Sequence, residues 1–68
     1  MTILINGEEH VLTRSSITVA NLLAHLSFTQ QKGIAVAKNH NLVRRSEWST
    51  TLVQNGDEIE ILQATAGG

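Results

Sequence analysis

Ile17-Thr18-Val19-Ala20-Asn21-Leu22-Leu23-Ala24-His25-Leu26 is the stretch whose reading decides the fold. Val19, Leu22, Leu23 and Leu26 recur at i, i+3, i+4 and i+7, so a helix formed here carries a single apolar stripe. Thr18 precedes it as an N-cap, its hydroxyl placed to accept from the backbone N–H of Ala20 or Asn21. Ile17 and Leu22 occupy the two positions of a hydrophobic staple, which fixes how the chain enters the helix. Asn21 stands where a full capping box has Glu, so the cap is good but incomplete. The pattern predicts an end near Ser27, and Gly33 closes the loop that follows. A lone striped helix needs an apolar sheet face to bury it.

Working outward toward the N-terminus, Thr2-Ile3-Leu4-Ile5-Asn6 is β-branched and alternating, with Ile3 and Ile5 on one face and Leu4 on the other. Asn6-Gly7 is a hairpin signal, because both residues tolerate positive φ. A second, antiparallel strand is predicted across roughly Glu9 to Arg14. Its register stays open, since Val11 and Leu12 are adjacent and only one can face inward. On the other side of the helix, Ile34-Ala35-Val36-Ala37-Lys38 reads as a strand, with turn chemistry at Asn39-His40-Asn41 before Leu42-Val43. Ala35 and Ala37 are small enough to lie beneath a closely packed helix, which would put Ile34 and Val36 on the opposite face; the alternation leaves that choice open.

Arg44 to Thr51 has no clean period and is read as a short helical turn around Ser46-Glu47-Trp48. Asn55-Gly56-Asp57 marks another turn, and Glu58 to Gln63 alternates, with Ile59 and Ile61 on one face and Glu60 and Leu62 on the other. Ile3, Ile5, Ile59 and Ile61 then supply the apolar face that the helix requires. The element order predicts an α+β domain over residues 1–63, a mixed sheet of about five strands with one main helix on one face, in the order of a β-grasp. Residues 64–68, Ala-Thr-Ala-Gly-Gly, are too small to pack and read as a flexible tail.

Sixty-eight residues, 41% hydrophobic and 16% charged, describe one small globular domain with little room for a large cleft. Cysteine is absent, which removes disulfides, thiolate metal sites and cysteine nucleophiles together. A formal net charge of −1 and only two aromatic residues, Phe28 and Trp48, argue against nucleic acid as a partner. No apolar run approaches a membrane span and no secretory pattern opens the chain, so no membrane association and a cytoplasmic location are expected.

His10, His25 and His40 lack metal-ligand spacing, so no bound metal is expected. No serine sits in a glycine-flanked elbow and no phosphate-cradling loop is present. Asp57, Glu58 and Glu60 cluster near one end of the last strand, as a solvated edge or as a docking patch for a basic partner. Arg44 and Arg45 pose the same choice between solvated charge and steering of a partner. Trp48 is expected to be buried, with an interface role as the alternative. Leu4 and Leu62 are expected side by side on the face opposite the helix, where nothing in the chain covers them. With Glu60 they form the candidate partner surface.

Gly67 and Gly68 end the sequence and present a carboxylate with no side chain around it. Such a group is anionic and a poor electrophile at neutral pH, so it reacts only after activation, for which an acyl-adenylate provides a leaving group. The slender end suits a narrow channel that a Cβ would obstruct, with Thr65, Ala66 and Gly67 as the channel segment.

These residues resemble the ThiS family, the sulfur carrier proteins of thiamin biosynthesis. The resemblance runs through Met1-Thr2-Ile3-Leu4-Ile5-Asn6-Gly7, the Thr18-Val19 start with Leu22-Leu23, and Ala35-Val36-Ala37. It continues through Val43-Arg44-Arg45-Ser46-Glu47-Trp48, Asn55-Gly56-Asp57 and the Gly-Gly end. The family usually has proline where this chain has Arg44, so a less rigid loop is expected there. The resemblance implies a ubiquitin-like β-grasp that is not itself an enzyme and holds no stable cofactor. Its Gly68 carboxylate would be adenylated with ATP by an E1-like adenylyltransferase, ThiF. It would then receive sulfur originating from a cysteine desulfurase to give a thiocarboxylate, which thiazole synthase, ThiG, uses to build the thiazole. The same terminal chemistry fits two alternatives, the small subunit of molybdopterin synthase and a ubiquitin-like protein modifier.

Overall fold

Thr2–Ile5 (β1) and Glu8–Val11 (β2) pair antiparallel, with Ile3 opposite His10 and Leu4 opposite Glu9, in a computed structural model that describes residues 1–28 and 33–64. The turn between them holds Asn6 at φ 50° and Gly7 at φ 83°, the left-handed conformation that a two-residue hairpin loop demands. β2 stops at Val11, short of the expected Arg14. The open register resolves there: Val11 is 73% exposed, whereas Leu12 packs against the core.

The helix, α1, runs Val19–His25, and the Thr18 hydroxyl accepts from Asn21 N–H at 3.1 Å. Its C-terminus is closed by two main-chain bonds, Ser27 N–H to Ala24 C=O at 3.0 Å and Phe28 N–H to Leu23 C=O at 2.9 Å. This is a Schellman closure, and it puts Ser27 at φ 68°, where glycine is the usual occupant. Phe28 follows and packs back on the core.

Ile34–Lys38 (β4), Asn41–Val43 (β5) and Glu58–Gln63 (β7) complete a five-stranded sheet in the order β2-β1-β7-β4-β5. It is mixed, since β1 runs parallel to β7 and the other neighbours are antiparallel. Ile3, Ile5, Ile34, Val36, Ile59 and Ile61 are buried together with Val19, Leu22 and Leu23 of α1. The choice of face on β4 is thereby settled: Ile34 and Val36 lie in the core, while Ala35 is exposed and Ala37 half-buried.

Ser16–Thr18 (β3) and Leu52–Gln54 (β6) form a separate antiparallel pair with Ile17 opposite Val53, both buried. Sequence reasoning did not identify this ribbon, because three-residue strands carrying one apolar side chain each have no period to read. Between β5 and β6 the expected helical turn is a 3-10 turn over Arg45–Glu47. Trp48 follows it, buried, with its indole N–H donating to the Val43 carbonyl at 3.0 Å and the Arg45 guanidinium 5.4 Å from its ring centroid. Arg44 holds φ −67° and ψ 147° without a proline ring to fix it.

Candidate functional site

Alternation along β7 sends Ile59 and Ile61 into the core and Glu58, Glu60 and Leu62 to the face that α1 does not cover. The antiparallel register with β4 sets Leu62 opposite Ala35 and Glu60 opposite Ala37, and β5 sets Leu42 opposite Ala37. With only methyl groups as neighbours across the strands, Leu62 stays 71% exposed and Leu42 72% exposed. The small residues of β4 thus serve to leave an apolar strip uncovered on the outer face.

Leu4 does not lie beside Leu62, contrary to expectation. Its partner on β7 is Glu58, four residues before Leu62, and at the rise of an extended strand that separation is roughly 13 Å. The reason is the parallel pairing: the first residue of β7 lies opposite the third of β1, and β1 turns away at Asn6 while β7 continues. Leu4 is half-buried, between Glu9 of β2 and Glu58. Leu42 is also exposed on this face, on β5, with β4 between it and Leu62.

The acidic cluster divides into two parts with different work. Asp57 is tied into the framework, its carboxylate accepting from Asn39 Nδ2 at 3.0 Å and from Gln54 N–H at 2.8 Å. Glu58 and Glu60 instead point outward toward the His40 ring, at 3.5 Å from Nε2 and 3.3 Å from Nδ1 respectively. His40 reaches this position because the β4–β5 hairpin holds Asn39 at φ 50° and His40 at φ 70°. His10 is half-buried on β2 and His25 is exposed at the end of α1. Among the described residues no group of three or more His, Cys, Asp or Glu side chains is arranged to hold a metal ion.

The root of the C-terminal segment is held more firmly than a free tail from Ala64 would be. Ala64 N–H donates to Gly33 C=O at 2.8 Å, which extends the pairing of β7 with β4 beyond Gln63. Gly33 has φ 72°, a conformation that favours glycine, and a Cβ there would make a tight 3.1 Å contact with the Ala64 carbonyl oxygen. On the opposite edge the Asn6 side chain bonds the main chain of Ile61 across 55 residues of sequence. Sequence reasoning assigned Asn6 and Gly33 to turns and missed both contacts, which no local signal announces. Thr65, Ala66, Gly67 and Gly68 lie outside the described residues.

The model of the ThiS family matches residues 3–68. The chain is 43% identical over 51 residues to the Escherichia coli sulfur carrier protein ThiS, covering 75% of this chain and 76% of that protein. It is 37% identical over 68 residues to a thiazole synthase of Paramagnetospirillum magneticum, covering all of this chain and 20% of that protein. The chain therefore spans about a fifth of the length of that curated relative. The crystal structure of the thiamine biosynthesis protein ThiS from Geobacter metallireducens superposes with a TM-score of 0.87 at 29% identity, with both chains fully covered.

Proposed function

This chain belongs to the ThiS family, and from that premise we propose that it is a sulfur carrier in thiamin biosynthesis whose working group is the Gly68 carboxylate. An E1-like adenylyltransferase of the ThiF kind joins a carboxylate oxygen of Gly68 to the α-phosphorus of ATP and releases pyrophosphate. Sulfur originating from a cysteine desulfurase, carried as a persulfide, then attacks the acyl carbon and expels AMP, and a thiol reductant cleaves the resulting acyl disulfide to leave a thiocarboxylate. Thiazole synthase, ThiG, takes that sulfur. ATP is consumed by the partner and is not a resident cofactor of this chain.

The observation that carries this reading is the family match, which runs from β1 through the whole sheet to the Gly67-Gly68 end. The thiazole synthase of Paramagnetospirillum magneticum contains a stretch similar to the whole of this chain, which supports a thiazole synthase as partner. The chain has no cysteine, so sulfur cannot be stored on a side-chain thiol. Leu62 and Glu60 form the proposed docking surface, an apolar contact with an acidic rim, with Leu4 farther along the same face. Thr65, Ala66 and Gly67 are the segment that enters the partner's channel. Five extended residues from Ala64 to Gly68 reach about 16 Å, enough to place the carboxylate in a buried site while the sheet stays outside. Among the described residues no helix is long and apolar enough to cross a membrane, and we place the protein in the cytoplasm, where these partners work.

Intact-mass spectrometry tests the proposal. After incubation with ATP, the adenylyltransferase and a sulfur donor, the expected product carries one sulfur in place of one oxygen, confined to the C-terminal peptide. Deletion of Gly68 abolishes the gain and leaves the circular dichroism spectrum unchanged. An unchanged mass beside an active partner set overturns the assignment.

A further inference from the structure

We propose that Asn6 is a positioning residue whose side-chain amide pairs with the main chain of Ile61 in place of a strand, and so fixes the direction in which β7 delivers the C-terminal segment to a partner. This rests on the carrier function proposed above. β1 pairs with β7 only through Leu4 opposite Glu58 and Ile5 opposite Ile59. The Asn6 N–H still donates to the Ile59 carbonyl at 2.9 Å, and there the main chain of β1 turns away. The side chain continues where the main chain stops: Nδ2 donates to the Ile61 carbonyl at 3.1 Å, and Oδ1 accepts from the Ile61 N–H at 2.8 Å. Both bonds are partly buried, and together they reproduce the donor and acceptor of one more peptide group.

Two independent demands meet at this position. The turn needs a residue at φ 50°, which Asn and Asp tolerate best among residues with side chains. The Ile61 peptide needs a donor and an acceptor side by side, which the amide offers and a carboxylate does not. With Ala64 held to Gly33 on the other edge, β7 is clamped on both sides up to Ile61 and on one side to Ala64. Beyond that clamp a tilt of about 20° displaces the end of a segment of roughly 16 Å by about 5 Å. Catalysis is sensitive to misplacement of about 1 Å, so a clamped root reduces the search that a partner must complete after gripping the sheet.

The test compares Asn6→Gly with Gly7→Ala in the full chain. Asn6→Gly keeps the turn conformation and removes both bonds to Ile61. Gly7→Ala strains the same turn, where φ is 83° and a Cβ meets nothing within 4 Å, and leaves the Asn6 amide in place. Both are assayed as substrates of the E1-like adenylyltransferase by pyrophosphate release, at a temperature where circular dichroism shows each one folded. The expected result is a loss of about tenfold in kcat/KM for Asn6→Gly and a wild-type value for Gly7→Ala, although both lower Tm. A folded Asn6→Gly chain with wild-type kcat/KM overturns the inference alone, as does a Gly7→Ala chain that falls in step with it. A wild-type chain that is not adenylated overturns the carrier reading, and the inference falls with it.

Discussion

Replacing Leu62 by Glu separates docking from folding, because the two processes see opposite fractions of the same side chain. Leu62 is 71% exposed in the free domain, so under a third of it is hidden by the fold. Full burial of a leucine is worth about 1.5–3 kcal/mol, which makes the hidden part worth roughly 0.4–0.9 kcal/mol to stability. For a domain of this size that loss lowers Tm by roughly 2–7 °C. A partner that covers Leu62 completely gains the rest, about 1–2 kcal/mol, and a buried unpaired carboxylate adds a further penalty of at least that order. Binding should therefore weaken by more than tenfold while the domain stays folded.

Val11→Glu provides the control, since Val11 is similarly exposed at 73% but lies on the edge strand β2, opposite Thr2 and away from the end of β7. Calorimetric titration with the adenylyltransferase and urea denaturation of both variants measure the two effects. Equal losses in binding and stability for Leu62→Glu would place Leu62 in the core in solution. Equal binding losses for Leu62→Glu and Val11→Glu would remove the special role of the β7 end.

Three further substitutions probe how the scaffold is held. Arg44→Pro should raise stability by about 0.4–1 kcal/mol in denaturant unfolding, because φ is already −67° and the hairpin register turns the Arg44 N–H away from β4. Ser27→Gly should also stabilise, by about 0.5–1 kcal/mol, since relief of the left-handed conformation at φ 68° exceeds the added backbone entropy of glycine in the unfolded chain. Trp48→Phe keeps much of the buried ring but removes the indole donor to Val43, and should cost about 1–2 kcal/mol, seen as a Tm lower by roughly 5–15 °C.

The elements that sequence reasoning placed well are those whose side chains repeat. The stripe Val19, Leu22, Leu23 and Leu26, the Thr18 cap and the alternation at Ile3/Ile5 and Ile59/Ile61 each state a period and a face, and helix and sheet faces follow directly. The β3–β6 ribbon escaped because it is shorter than a readable period. The pairing of Leu4 with Leu62 failed for a different cause: alternation tells which face a residue takes and says nothing of its height along a neighbouring strand. That height is set by register, and the register here puts Leu4 opposite Glu58.

By itself the sequence determined the class of the fold and the composition of its core. Periodicity and capping are local properties of consecutive residues, so they can be read before the chain is folded. The tertiary structure alone decided that Ala35 and Ala37 lie on the face opposite α1, and that Leu4 stands opposite Glu58 rather than beside Leu62. It also showed that Asn6 and Gly33 hold the two edges of β7 where the C-terminal segment begins. Those facts depend on atoms as many as 55 residues apart being brought within hydrogen-bond distance, which only the packed sheet does.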